Sequence, residues 1–325
     1  MRLALSTICA SIVFAACAAA QEGAPVRPKV DNPFAASDDK ESLARQADFA
    51  DAMQTVAERQ RVFGEYPTRF SLDGSFVQGG LVFGQAEPGA EARLDGDEVM
   101  VGEGGEFVIG FGRDSALTSL LVVTFPDGEV QRYALELEDR EFPVQRIDGL
   151  DQSKVSGFTE EQLAKIAEDR EKKDAARAST HSAPDWLAGF DWPVVGIITG
   201  VFGSQRILNG EPKRPHSGVD VAAPTGTPIY APAAGIVTLA ESDMYFEGGL
   251  VFLDHGHWLE SAFVHMSRID VEPGQRVKKG EIVGAVGSTG RSTGPHLHWS
   301  LKWAGRLVDP QLVVGEMPSV QGAAE

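Results

Sequence analysis

Between Pro215 and Trp299 the sequence leaves no room for a helix of any length. Pro215, Gly218, Pro224, Gly226 and Pro228 crowd its start, and proline removes a backbone donor while glycine weakens regular structure. The runs that follow, 235–240, 249–255 and 281–286, are short, glycine-bounded and rich in β-branched residues, which predicts strands. The same stretch carries His216-Ser217-Gly218-Val219-Asp220 at one end, His265 in the middle and His296-Leu297-His298 at the other. Residues two or four apart on a strand point the same way. His296 and His298 are therefore predicted to face one site together, and so are His216 and Asp220 if their strand is regular. Two imidazoles and a carboxylate make a good zinc triad, and a fourth position left to water suits a catalytic ion.

Five blocks in this order carry a family resemblance. They are 216–220, Ala223-Pro224-Thr225-Gly226-Thr227-Pro228, Phe263-Val264-His265-Met266-Ser267, Val277-Lys278-Lys279-Gly280 and 287–298. Over roughly Trp192 to Val313 the chain resembles the lysostaphin-type (LytM-like) zinc metallopeptidases that cut peptide bonds in peptidoglycan. HxH alone would be a weak signal; five ordered blocks are specific. The resemblance implies an antiparallel β groove with zinc on its floor, one Zn2+ per chain, held by His216, Asp220 and His298. It implies that His265 and His296 are the two catalytic histidines outside the metal shell. One would take a proton from water and pass it to the leaving amine, the other would hold substrate or oxyanion, and the sequence does not say which. There is no HExxH glutamate, so histidine carries the proton work.

Around that region the chain of 325 residues has room for two or three domains. Its formal net charge is −18, which argues against a nucleic-acid partner. From Thr180 onward there are 10 basic and 15 acidic residues, against 19 and 32 before it, so the acidity sits mostly ahead of the histidine-rich stretch. Residues 1–20 read as a signal peptide: Arg2, an apolar run from Leu3 to Ala16, and a small-residue cleavage site at Ala18-Ala19-Ala20. Phe14-Ala15-Ala16-Cys17 also resembles a lipobox, so lipid anchoring at Cys17 is the alternative. Both predict export, to the periplasm or cell envelope, and no later segment is long and apolar enough for a membrane span. Residues 21–66 read as a tether followed by a helix over Asp38 to about Phe63.

Residues 67–147 read as six or seven short strands with an Asp95-Gly96 hairpin signal, predicting a small immunoglobulin-like β-sandwich that offers a surface for a protein partner. Arg113-Asp114 reads as a surface or turn pair. Residues 148–185 read as a charged helical linker, with a Thr159…Gln162 capping box and only Leu163, Ile166 and Ala167 as an apolar stripe. An exposed spacer helix is expected. Residues 186–315 form the peptidase domain and 316–325 a tail. The predicted class is mainly β.

Of the remaining histidines, His181 falls in the linker and reads as incidental, and His255 and His257 read as packing residues or groove lining. Asn209, just ahead of His216 in an Asn-Gly pair, reads as a turn residue, with a contact to substrate or zinc as the second reading. The resulting function is exported zinc endopeptidase acting on peptidoglycan cross-links or stem peptides. The alternative is a non-catalytic LytM-like regulator that activates cell-wall amidases, a class that loses ligands or catalytic histidines; here all five positions are kept.

Overall fold

The computed structural model describes residues 69–148 and 157–318. The expected signal peptide, Cys17, the tether and the first helix lie outside the described residues. Among the described residues, no helix is long and apolar enough to cross a membrane.

Seven strands build the first unit: β1 (Ser71–Gly74), β2 (Leu81–Gln85), β3 (Glu91–Leu94), β4 (Asp97–Val99), β5 (Glu106–Gly110), β6 (Thr118–Thr124) and β7 (Val130–Glu136). They form two small antiparallel sheets in the orders β1-β2-β5 and β4-β3-β6-β7. Period-two patterning places Ala92 and Leu94 inside and Glu91 and Arg93 outside on β3. Asp95 and Gly96, at φ 54° and 89°, make the β3–β4 turn that their Asp-Gly pairing predicts.

The chain then leaves the sandwich. β8 (Val144–Ile147) pairs in parallel with β10 (Gln205–Leu208), which forms a hairpin with β11 (Glu211–Pro212). After helix α1 (Glu160–Ala176) come β9 (Ile197–Gly200), β12 (Val219–Ala222), β13 (Pro228–Tyr230), β14 (Gly235–Met244), β15 (Gly248–Asp254), β16 (Leu259–Met266), β17 (Arg268–Ile269), β18 (Arg276–Val277), β19 (Ile282–Ala285), β20 (His296–Trp303) and β21 (Arg306–Val308). The main sheet runs β18-β14-β15-β16-β20-β12-β9, with β21 beside β20, and a small sheet β13-β19-β17 completes the unit. One face of the main sheet packs Val251, Leu253, Phe263, Leu297 and Trp299 into the large core. The other face packs Leu250, Phe252, Ala262 and Val264 in a smaller cluster.

The two units share that large core. Phe83 stacks on Trp186 at 5.2 Å, and the edge of Trp186 meets His257 at 5.7 Å. Arg140 reaches Asp309 at 2.7 Å, and the Asp309 amide donates to Gly79 O at 2.7 Å. Arg113 is more than a surface residue: besides pairing with Asp114, its Nε donates to Gly203 O at 2.7 Å and its guanidinium lies 4.6 Å over Phe142.

Helix α1 carries its predicted capping box, but it is docked rather than solvated. Asp169, 2% exposed, accepts from the Tyr245 amide at 2.6 Å and from Lys165 at 2.8 Å. Lys172 pairs with Glu241, Lys173 with Glu247, and Arg177 with Glu260 while lying 3.8 Å over Phe252. The anchoring is ionic and cation–π, so a thin apolar stripe gave no sign of it.

His181 is likewise built in, not incidental. Its Nδ1 meets Asp254 at 3.0 Å and its Nε2 meets Asp185 at 2.8 Å. Burial disfavours the charged ring, but the hydrogen bond and charge of Asp254, then those of Asp185, outweigh it and raise the pKa. A raised pKa stabilises the fold fully below the unfolded value of about 6.5, and that contribution is lost as pH rises through the folded value. Denaturant unfolding of the parent is therefore expected to weaken from slightly acid to alkaline pH. A His181→Asn variant lacks that part of the slope; an unchanged slope would show that this ring does not titrate with folding.

Candidate metal centre

The site assembles on the face of the sheet opposite the large core. On β20, Leu297 and Trp299 are fully buried in that core, so His296 and His298 both project to the other side, as their spacing predicts. β12 lies antiparallel beside β20 with Asp220 directly across from His298 and Ala222 across from His296. Cross-strand partners share a face, which brings the Asp220 carboxylate to His298.

His216 arrives by another route. It lies ahead of β12 in a loop, not on a regular strand with Asp220. Two backbone bonds hold that loop to the segment before β10, His216 N–H to Ser204 O and Gly203 N–H to His216 O, each 2.9 Å. Gly203 has no substitute there: a Cβ would lie 2.1 Å from the Phe142 ring.

His265 is placed by a backbone irregularity. Met266 pairs with Gly249 and Phe263 with Val251, so β16 spends one residue more than β15 between those points. This is a β-bulge, and His265 in it has φ 64°. Val264 is paired with His298, so regular alternation would send His265 under the sheet into the core. The left-handed residue instead turns its ring toward His296, 4.8 Å centroid to centroid. Such a conformation in a non-glycine residue is costly and persists where its surroundings enforce it; here the His265 amide is held by Glu247 O at 3.0 Å.

Three donor atoms converge. His216 Nε2 is 3.0 Å from Asp220 Oδ1 and 3.0 Å from His298 Nδ1, and His298 Nδ1 is 2.7 Å from Asp220 Oδ1. Their outer partners fix the rings. His216 Nδ1–H donates to Val201 O at 3.0 Å, which leaves Nε2 as a lone-pair donor. His298 Nε2 meets Ser217 Oγ at 3.0 Å, and Arg206 donates to Asp220 Oδ2 at 3.1 Å. Two imidazole lone pairs and a carboxylate oxygen crowded into one spot repel unless a positive charge sits among them. A tetrahedral zinc with bonds of about 2.0–2.1 Å spaces its ligands about 3.3 Å apart, close to the separations found. The donor set therefore fits zinc. Gly200 keeps the room, since a Cβ there would come within 2.4 Å of Asp220 Oδ2. Burial pushes the Asp220 carboxyl up, but the contacts with the His216 and His298 rings win, holding it well below the usual carboxylate range. Burial, the largest influence, lowers the pKa of His298 despite Asp220.

His265 and His296 stand beside this cluster, their planes tilted by 53° and each Nδ1 tied to a backbone carbonyl. His265 Nδ1–H donates to Thr289 O at 2.8 Å, and His296 Nδ1–H to Gly294 O at 2.8 Å. Each keeps Nε2 for other work; that of His296 is 3.8 Å from Asp220 Oδ1. Burial, with the neighbouring His296 and His298, pushes His265 down to about 4.

Asn209 sits with Gly210 in the two-residue turn between β10 and β11, at φ 48° and 81°. His255 and His257 lie apart from the cluster. His255 is fully buried, its Nδ1 donating to Ala234 O at 2.6 Å and its Nε2 meeting Ser261 Oγ at 2.8 Å; burial drives its pKa down to about 4. His257 Nε2 donates to Ser182 O at 2.8 Å. Sequence reasoning missed Arg206, Ser217 and Thr289. Ser217 stands inside the first matching block and Thr289 inside the last, but nothing in periodicity marks Arg206.

A family profile for peptidase family M23 matches residues 214–310. A solved structure from Pseudomonas aeruginosa described as a peptidase M23 is 31% identical, with a TM-score of 0.58, over 74% of this chain and 96% of that one. The peptidoglycan DD-endopeptidase ShyA of Vibrio cholerae is 42% identical over 95 residues, 29% of this chain and 22% of that protein. The DD-carboxypeptidase/endopeptidase Mpg of Neisseria meningitidis is 40% identical over 110 residues, 34% of this chain and 25% of that protein. The chain thus spans about a quarter or less of these two curated relatives. With the likeness to the Pseudomonas structure running through nearly the whole of that chain and the cluster lying inside the matched segment, this protein belongs to peptidase family M23.

Proposed function

We propose that this protein is an exported, zinc-dependent endopeptidase that hydrolyses peptide bonds in peptidoglycan during cell-wall remodelling. The observation that carries the reading is the convergence of His216, Asp220 and His298 beside two histidines whose Nδ1 atoms are both tied to backbone carbonyls. His216, Asp220 and His298 hold the metal. Zinc, when bound, supplies a Lewis acid that acidifies water and polarises a carbonyl. His265, with its low pKa, is neutral near pH 7, so its Nε2 accepts a proton. His296, whose Nε2 lies 3.8 Å from Asp220 Oδ1, donates from that atom once it carries a proton, to substrate or to charge developing on the carbonyl oxygen. Thr289 O keeps the His265 ring in the tautomer whose Nε2 is free to accept, and Gly294 O fixes the aim of the His296 ring. For Asn209 we propose no chemistry beyond its turn. The regulator alternative is disfavoured because the site keeps every ligand and both further histidines in place.

Names of relatives support the substrate class, and export follows from the sequence. The test is to digest purified wall with the full chain, measure its zinc by atomic absorption and identify released muropeptides by mass spectrometry. Near-stoichiometric zinc and newly freed peptide termini are expected. A zinc-loaded protein that leaves every wall peptide intact would sink the endopeptidase reading.

A further inference from the structure

Arg291 occupies the loop between β19 and β20, between the residues that orient the two free-standing histidines. Thr289, two residues before it, accepts from His265, and Gly294, three after it, accepts from His296. The Arg291 amide donates to Phe246 O at 2.8 Å, and its guanidinium lies 4.5 Å over the Phe246 ring. That contact fixes the plane of the cation beside the site.

Arg291 joins Arg93, Arg132, Arg146 and Arg214 in holding no carboxylate among the described residues, and of these it is the one in the loop that orients both histidines. Arg69, Arg140, Arg177, Arg268, Arg276 and Arg306 each hold a carboxylate. Among the described residues, no carboxylate forms an ion pair with Arg291. Glu247, the carboxylate whose charge acts on it, is engaged by Lys173. Arg291 is exposed as a residue, yet its guanidinium is crowded enough that burial, then the like charge of Arg206, pulls its pKa below the ordinary value. In an acidic protein of net charge −18, this cation in the histidine-orienting loop is left without a carboxylate partner among the described residues. A crowded guanidinium with free donors matches a planar anion held through two parallel hydrogen bonds.

We propose that Arg291 is a specificity-determining residue that pairs with a free carboxylate on the substrate peptide near the scissile bond. Phe246 presents the guanidinium, and the loop that aims His265 and His296 also fixes the distance from the bound carboxylate to the reacting bond. The proposal rests on the endopeptidase reading of the site.

The experiment uses the zinc-loaded full chain and two cross-linked wall peptides that differ only in amidation of the free carboxylates flanking the scissile bond. The parent is expected to show a KM about tenfold or more lower for the acid than for the amide, the scale of one charge-assisted pair. Arg291→Gln should bring the two KM values together, and Arg291→Lys should restore part of the preference. Zinc content is read alongside to confirm an intact site. If Arg291→Gln changes both substrates equally, or if the parent does not distinguish them, the proposal is overturned. If the zinc-loaded parent cuts neither peptide, the endopeptidase reading falls and takes this inference with it.

Discussion

Zinc and activity are expected to vanish together in His298→Ala, and to separate in His265→Ala and His296→Ala. His298 Nδ1 lies 3.0 Å from His216 Nε2 and 2.7 Å from Asp220 Oδ1. Removing it leaves one imidazole and one carboxylate, too few anchors for a stable zinc site. His265 and His296 contribute none of the three converging atoms. Their alanine variants should keep close to one zinc per chain and the parent's melting behaviour. Wall hydrolysis should still fall by about a hundredfold or more, the usual scale for losing an acid–base group or an oxyanion donor. Atomic absorption beside hydrolysis rates separates the groups. If His296→Ala loses its metal while His298→Ala keeps it, the two residues of the HxH element have exchanged roles.

A fragment beginning at Trp186 should fail to fold as the full chain does. Cutting there uncovers Trp186, Phe202, Trp303 and Val308, all within the buried set. It strips Asp309, 0% exposed, of Arg140, and Glu260 of Arg177. Breaking one such buried pair costs about 3–5 kcal/mol, and whole domains are stable by only about 5–15 kcal/mol. Circular dichroism of the fragment should show no cooperative melt near that of the full chain. An equal melting temperature and full hydrolysis would mean that the sandwich is dispensable packing. Arg140→Ala in the full chain is the milder check, with an expected loss of about 3 kcal/mol in denaturant unfolding.

How much of this was legible depended on which force placed each residue. Alternation on β20 gave the shared face of His296 and His298, because Leu297 and Trp299 have only one core to enter. The Asp95-Gly96 hairpin and the Thr159 cap were legible because each is a local hydrogen-bonding event. The metal role of His216 is legible only through the family resemblance: its loop is fixed by backbone bonds to Ser204 and Gly203, not by strand periodicity. The docking of α1, the anchoring of His181 and the reach of Arg113 rest on polar partners far apart in sequence. A single chain read by period and composition carries no sign of such pairings. β8 was hidden for a related reason, since its partner β10 lies some sixty residues downstream.

The bulge at His265 makes the chemistry of this chain depend on its length as well as its letters. Deleting one residue between Phe263 and Met266 would let the ladder to β15 close into regular alternation. Asp220 and His298 would stay paired across β12 and β20, so the proposed metal ligands would stay together. A single lost codon would thus yield a protein that still folds and still loads metal but no longer cuts, a short mutational step from a hydrolase to an inert binder.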